Sequence, residues 1–233
     1  MTKATYYLTP NAAGTAFTGT GYTPDGTIPA GAIPCTQEQA QNFQAYVPSS
    51  GEIVSAPSAV LLAQAQTAQK AIVTQGYNKA TDYVPVTING TTYQVDNTAG
   101  KQALNLSLAI TANAMMQAPA WAASTEYAAG AYCTVGGVIL FCSASGKSGT
   151  ASPTPPTTFG TPVTDGTAEW ELLGRKVYLQ GGSFVYMTPQ QIMSAFQQGE
   201  LYLHKMSDKL ELLKSEIMAA TTVSAVQTFE LLR

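Results

Sequence analysis

Residues whose side chains could carry chemistry are few in this 233-residue chain, and they are far apart. The single histidine, His204, follows Leu203 in a helical pattern. This position favours a solvated or interface histidine over a catalytic base, and with no second histidine a histidine metal site or a Ser-His-Asp triad has little to build on. Carboxylate pairs such as Asp208 and Glu211 lie on a helix face that the same pattern predicts to be solvated. The sequence therefore predicts no catalytic residue, no metal site and no cofactor, and we expect a protein that is not an enzyme.

Three cysteines, Cys35, Cys133 and Cys142, lack the spacing of metal ligands. Cys133 and Cys142 could face each other across a predicted hairpin, which leaves a disulfide or two buried thiols, and the buried thiols are favoured. The N-terminus has no apolar core typical of a secretory signal, so we expect the chain to be made in a cytosol with its cysteines mostly reduced.

Four aromatic residues, Trp121, Tyr127, Tyr132 and Trp170, stand in a stretch that is otherwise poor in large side chains. Aromatic faces can stack on the C–H face of a sugar ring, so the four residues are a candidate glycan-binding set. They could equally form the core of a small β module. We assign Trp121 and Trp170 to the core, and the pattern leaves Tyr127 and Tyr132 open.

The overall composition excludes several function classes. Charged residues make up 11% of the chain and the net charge is −3, against about 25% charged residues in ordinary domains. No basic block is present, so we expect no nucleic-acid binding. No run approaches the roughly 18 apolar residues of a membrane span, so we expect no membrane insertion. A low-charge, Thr- and Gly-rich composition is common in fibre and adhesin-like proteins.

A long helix is predicted from Thr188 to Met218, opened by Thr188 as N-cap, Pro189 at the first position and Gln191 at the third. Apolar residues then recur at alternating steps of four and three, which places one seam along a helix of about 45 Å. The seam consists of Ile192, Phe196, Gly199, Leu203, Met206, Leu210, Leu213 and Ile217. The seam can pack against other elements of the same chain, which we favour, or against other subunits, and we expect self-association as well.

Other elements follow from local signals. Asn89-Gly90 predicts a tight hairpin between Val86–Ile88 and Thr92–Val95, and Gly181-Gly182 predicts a second hairpin before the long helix. Thr36 and Gln39 form a capping box for a helix that we extend through Phe43 and Tyr46 and end at residues 48–51. Further helices are predicted over 57–77, over 98–116 and, capped by Thr221 or Thr222, over a final segment that carries Val226, Phe229 and Leu231.

These elements predict an α+β fold: a helical domain with β-hairpins and a long C-terminal helix, interrupted by a small all-β insert, after an extended N-terminal segment. The predicted boundaries are 1–56 for the N-terminal attachment segment, 57–117 with 175–233 for the helix-and-hairpin domain, and 118–174 for the β module. The insert begins where the helical pattern stops, at Pro119.

Three segments, taken together, resemble a known family. They are the hairpin from Val86 to Asp96 with its following helix, Gly182–Gln190, and the run from Leu203-His204 to Thr222. In this order they are similar to a domain of unknown function at the C-terminus of bacteriophage tail-fibre and tail-fibre-assembly proteins. The insert, with Trp121, Tyr127 and Trp170, resembles small chitin-binding-type carbohydrate modules.

The resemblance implies a structural component of a phage tail, in a tail fibre or its attachment, located in the virion. Its partners would be other tail proteins and further copies of itself, with a trimer favoured, and its role would be in host attachment. Two alternatives are a tail-fibre assembly chaperone, and a receptor module that binds a host surface glycan through the insert.

Overall fold

The structure is a computed structural model, and it describes residues 5–230. The chain divides into two compact units, residues 1–74 with 212–233 and residues 75–211. The helices are α1 (Gln37–Gln41), α2 (Ser58–Thr81), α3 (Ala99–Met115), α4 (Pro189–Ala219) and α5 (Val223–Val226).

The strands are all short and pair antiparallel in small sheets. They are β1 (Thr5–Pro10), β2 (Phe17–Thr23), β3 (Ile33–Cys35), β4 (Tyr46–Ser49), β5 (Glu52–Ser55), β6 (Tyr83–Ile88), β7 (Thr91–Asp96), β8 (Glu126–Tyr127), β9 (Tyr132–Val135), β10 (Val138–Ala144), β11 (Gly146–Lys147), β12 (Val163–Asp165), β13 (Ala168–Leu172), β14 (Arg175–Tyr178) and β15 (Phe184–Met187).

The predicted fold class is wrong. The chain is 38% helical and 31% strand, with several small antiparallel sheets, so it is mixed α and β along its length rather than a helical domain with one β insert. The largest departure is the N-terminal segment, predicted to be extended, which folds into a three-stranded sheet in the order β2-β1-β3. The predicted domain boundaries stay a prediction.

In the N-terminal sheet, a large side chain of one strand covers a glycine of the next strand. A Cβ at Gly21 of β2 would lie 2.4 Å from the Tyr7 ring, so the ring occupies the space above the glycine on the neighbouring strand. Leu8 is fully buried and Phe17 nearly so. The threonines between the glycines are good strand formers. A Thr- and Gly-rich stretch therefore builds a sheet with few large apolar residues of its own.

The helix that follows is shorter than predicted. The Thr36–Gln39 capping box is confirmed, but α1 ends at Gln41. After a single 3-10 turn, Tyr46 begins strand β4, which pairs with β5. Ser50 and Gly51 have φ of 51° and 83°, the conformation of a tight hairpin turn. Residues 48–51 therefore turn a hairpin rather than end a helix.

Two buried glutamines of α2 hold the C-terminal part of the first unit. Gln66 Nε2 donates to the carbonyl oxygens of Met218 and Ala220, both at 3.2 Å, and thereby satisfies orphan carbonyls at the end of α4. Gln69 Nε2 donates to the carbonyl of Phe229. Thr222 caps α5, as predicted, by accepting from Ala225 N. Leu231, also predicted on this final helix, lies outside the described residues.

The second unit contains a core built from both predicted hairpins and two helices. The Asn89-Gly90 hairpin is confirmed, with φ of 50° and 78° at its two turn residues. The β14–β15 hairpin is confirmed as well. The buried members of this hairpin core are Val84, Val86, Ile88, Val95, Ala112, Val177, Met187, Ile192 and Ala195. They come from sequence segments up to about a hundred residues apart, so the core is long-range.

The insert forms a four-stranded sheet in the order β12-β13-β10-β9. Because successive side chains of a strand point to opposite faces, the sheet has two sets of contacts. We call one the indole face, which carries Cys133, Val135, Leu140, Cys142, Ala168 and Trp170. We call the other the cleft face, which carries Tyr132, Ile139, Phe141 and Glu171.

The long helix starts as predicted. Gln191 N donates to Thr188 Oγ1 at 3.3 Å, and Thr188 N donates to Gln191 Oε1 at 2.9 Å, which completes a capping box. Within the second unit the helix is fastened to β6 by Gln198, whose amide exchanges two hydrogen bonds with the Thr87 backbone. A Cβ at Gly199 would meet Val84 Cγ1 at 3.4 Å, an ordinary van der Waals contact, so the packing here does not require a glycine.

Candidate functional site

Three of the four predicted aromatic residues lie together on the indole face. Trp170 is fully buried, and the Tyr127 ring meets it edge-on at 4.7 Å between centroids. Trp121 is half-buried against the same cluster. A fully buried indole cannot offer its face to a ligand, so Trp170 serves as core. The hydroxyl of Tyr127 accepts a hydrogen bond from Ala122 N at 2.8 Å, which engages that ring in the module as well.

Asp165 is the centre of this cluster, and its only signal in the sequence is its position before Gly166 in a turn. Its carboxyl group is buried and accepts three hydrogen bonds: from Trp121 Nε1 at 2.7 Å, from Trp170 Nε1 at 3.1 Å and from Gly149 N at 2.8 Å. Two indoles and one loop amide thus share one acidic side chain. The arrangement is structural, because every partner is part of the module itself.

The fourth aromatic residue, Tyr132, lies on the cleft face instead. It pairs with Phe141 across the strands, and the two ring centroids are 5.9 Å apart. Both rings pack beside a small cluster formed by Met115 of α3, Ile139 and Leu173. The structure therefore divides the predicted glycan-binding set between two faces of one sheet, and the four rings do not form a common surface.

Cys133 and Cys142 are buried free thiols on the indole face. Burial raises the pKa of Cys133 to about 12, with smaller contributions from Cys142 and Asp165. Burial also raises the pKa of Cys142, whose Sγ lies 3.2 Å from the carbonyl oxygen of Ala144. A raised pKa disfavours the thiolate, which is the reactive form, so neither cysteine is a nucleophile at neutral pH.

The seam of the long helix is the less exposed side of α4 along its length. Ile192, Leu210 and Ile217 are buried, and the other members are half-buried. In the second unit, Ile192 belongs to the hairpin core and Leu203 packs against it. The opposite side carries exposed apolar residues, among them Leu201 at 61% exposure and Leu212 at 60%. His204 is exposed as well.

A cavity of about 360 Å³ lies beside the hairpin core. Its lining is mostly apolar side chains of β6, β7, α3, β14 and α4, with the amides of Asn97, Gln102 and Asn105 and the carboxylate of Glu200. Those amides are engaged: Asn105 Nδ2 donates to the Asp96 carbonyl at 2.8 Å, and Gln102 Nε2 donates to the Asn97 carbonyl at 3.1 Å. The cavity therefore offers mainly apolar contacts.

A second cavity, of about 370 Å³, has a different chemistry. We call it the aromatic cleft. It lies between the cleft face and the β14–β15 hairpin, and its lining combines aromatic rings, glycines and charged groups: Phe141, Phe159, Gly160, Glu171, Leu172, Leu173, Gly174, Arg175 and Tyr186. Apart from Phe141, a neighbour of the predicted Tyr132, no sequence pattern groups these residues, because they come from a loop, a strand and a hairpin.

Within residues 5–230, no group of three or more His, Cys, Asp or Glu side chains could hold a metal ion. In the same part of the chain, no helix has both the length and the apolar character of a membrane span. Comparisons with known proteins found no matching family model, no matching curated protein and no matching solved structure. The resemblance to phage tail-fibre proteins therefore stays a prediction.

Proposed function

We propose that this chain is a non-enzymatic structural component of a bacteriophage tail, part of a fibre or of its attachment, which acts through contacts with other tail proteins and with copies of itself. One observation carries the proposal. Two of the segments that together resemble the tail-fibre family, the hairpin from Val86 to Asp96 with its following helix and Gly182–Gln190, contribute to one core. The insert between them has its own core.

This arrangement supports the proposal because a shared core is what a common domain requires. The two hairpins are separated by the whole β insert, so their packing together does not follow from proximity in sequence. The insert satisfies its own polar groups around Asp165, and its indole-face core is distinct from the hairpin core. A shared hairpin core that carries a separate β module is what we expect of a fibre component that presents this module at its surface.

Self-association is supported by the outward side of α3. Ala99, Ala103, Leu106, Ile110 and Ala114 recur at steps of three and four residues and are all exposed. Leu106 is 52% exposed and Ile110 is 63% exposed. The stripe carries no charge, so copies of the chain can bring their stripes together without burying an ionised group. We propose a homo-oligomer on this stripe, with three copies as the first expectation.

The oligomer is tested by light scattering of the wild-type chain and two variants. The wild-type protein should have the mass of a trimer, and Ile110→Lys should shift it toward monomer because a buried, unpaired ammonium opposes association. Ile72→Lys is the matched control: Ile72 is 56% exposed on α2, where its neighbours Ala71 and Gln75 are small or polar. A monomeric wild-type protein, or equal effects of both variants, would contradict association through the α3 stripe.

The tail assignment itself is tested by mass spectrometry of purified particles of a phage that encodes the chain. A structural component is expected in the mature virion at a fixed ratio to known tail proteins. An assembly chaperone would be present in infected cells and absent from the particles. Absence from the virion would overturn the proposed function.

A further inference from the structure

The aromatic cleft presents rings to solvent rather than burying them. The Phe159 and Tyr186 ring centroids lie 5.7 Å apart with an angle of 35° between the planes, and Phe184 meets Tyr186 edge-on at 5.7 Å. Phe184 is 48% exposed and Tyr186 is 43% exposed. Exposing several aromatic side chains to water is unfavourable, and exposed apolar patches beside a cavity mark binding sites.

The rings are held in place before any ligand arrives. A Cβ at Gly174 would lie 2.5 Å from Cδ1 of Phe159, so the ring rests directly on the glycine backbone. The ammonium of Lys176 lies 4.5 Å from the Phe184 ring centroid, within cation–π distance. A surface whose rings are already ordered loses little conformational entropy when a ligand binds.

One acidic and one basic side chain complete the cleft. Glu171 is the cross-strand partner of Phe141, and Arg175 begins β14. Neither side chain has an ion-pair or side-chain hydrogen-bond partner in the part of the chain that the structure describes. A carboxylate accepts hydrogen bonds and a guanidinium donates them, so together they suit a neutral ligand rich in hydroxyl groups better than an anion or a cation.

We propose that the aromatic cleft binds a neutral carbohydrate, with the C–H face of a pyranose ring on Phe159 and Tyr186 and its hydroxyl groups hydrogen-bonded to Glu171 and Arg175. The cavity of about 370 Å³ falls at the small end of small-molecule sites, which corresponds to a short saccharide. The inference does not depend on the tail assignment. It also differs from the predicted glycan-binding set, since none of Trp121, Tyr127, Tyr132 and Trp170 lines the cleft.

The test measures saccharide binding to the full chain by saturation-transfer NMR, followed by calorimetric titration. The probes are glucose, galactose, N-acetylglucosamine and their disaccharides. We expect at least one to bind with a millimolar or tighter dissociation constant, and Tyr186→Ala and Phe159→Ala to weaken it by about tenfold or more. Arg175→Ala should also weaken binding, while Tyr186→Phe, which keeps the ring, should retain most of it.

Tyr22→Ala is the control, because Tyr22 is a 66% exposed aromatic residue of the N-terminal sheet, which belongs to the other compact unit. It should bind as the wild type does. If Phe159→Ala does not fold, Tyr186→Ala and Arg175→Ala, both at exposed positions, still decide the result. Absence of binding for every probe, or binding unchanged by both of these variants, would overturn the proposal.

Discussion

The two faces of the insert's sheet use aromatic residues in opposite ways. On the indole face, Trp170 is fully buried and its N–H is bonded to Asp165. On the cleft face, Phe141 lines the same cavity as the Phe159 and Tyr186 rings, and Tyr186 is 43% exposed. Aromatic side chains thus form a core on the indole face and line a partly exposed cavity on the cleft face.

The difference shows that aromatic content alone does not identify a ligand site. The four aromatic residues singled out from the sequence include a core indole, and the rings that line the aromatic cleft were not among them. Whether a ring is core or surface depends on the neighbours that the fold supplies. The substitutions below measure that dependence on each face, in order of decreasing expected effect.

The largest effect is expected on the indole face at Asp165. Asp165→Ala removes the acceptor of three hydrogen bonds and leaves two indole N–H groups without it. Each unsatisfied buried donor costs about 1–3 kcal/mol, so we expect the free energy of unfolding to fall by about 3 kcal/mol. Asp165→Asn keeps one acceptor oxygen and should lose about half as much. Urea denaturation followed by tryptophan fluorescence reports the change.

Asp208→Ala is the control for this experiment, because Asp208 lies on the exposed side of α4. Its effect should stay within about 0.5 kcal/mol. A loss at Asp165 no greater than the loss at Asp208 would show that the indole face is stabilised by apolar packing alone. The two faces would then differ only in how deeply their rings are buried.

An intermediate effect is expected at alkaline pH from Cys133. Its pKa is raised from 9.0 to about 12, chiefly by burial. The native state therefore keeps a proton that the unfolded chain releases, so this contribution is complete below pH 9 and is lost progressively between about pH 9 and 12. The free energy of unfolding should therefore fall by about 1.4 kcal/mol between pH 8 and pH 10.

Cys133→Ala isolates this term from the other groups that titrate in the same range. The variant should be less stable than the wild type at pH 8 because a buried group is lost, yet its stability should fall less steeply from pH 8 to pH 10. If the free energy of unfolding falls equally with pH in the two proteins, the thiol ionises as readily in the native state as in the unfolded chain. That result would contradict the burial of Cys133 away from water on the indole face.

Features that the sequence predicted correctly depend on contacts within a few residues. Asn89-Gly90 determines its hairpin because both residues adopt positive φ, and Thr188 with Gln191 caps α4 through bonds three residues apart. The same holds for the Thr36–Gln39 capping box. Such signals involve only local geometry, so residue types and spacing are enough to identify them.

Features that the sequence did not reveal depend on distant partners. Gln66 reads as a polar position on a helix, yet it is buried because it bonds to carbonyls 152 and 154 residues away. The N-terminal segment was predicted to be extended, because no short-range signal shows that Tyr7 covers Gly21 across paired strands. The aromatic cleft joins Phe159, in a loop without periodicity, to Tyr186. None of these contacts has a short-range signature.

The smallest effect is expected for Tyr186→Ala on the cleft face, and it separates a surface from a second core. Tyr186 is 43% exposed, and its ring contacts are a tilted one with Phe159 and an edge-on one with Phe184. Its removal should therefore change the free energy of unfolding by less than about 0.5 kcal/mol. Tyr127→Ala is the matched substitution on the indole face. It removes the ring that meets Trp170 and the acceptor for Ala122 N, and should lower the free energy of unfolding by about 2 kcal/mol.

Urea denaturation of both variants makes the comparison. If Tyr186→Ala is as destabilising as Tyr127→Ala, its ring stabilises the fold and the cleft face is a core left partly open, whereas a negligible change leaves ligand contact as the reason for an exposed aromatic surface.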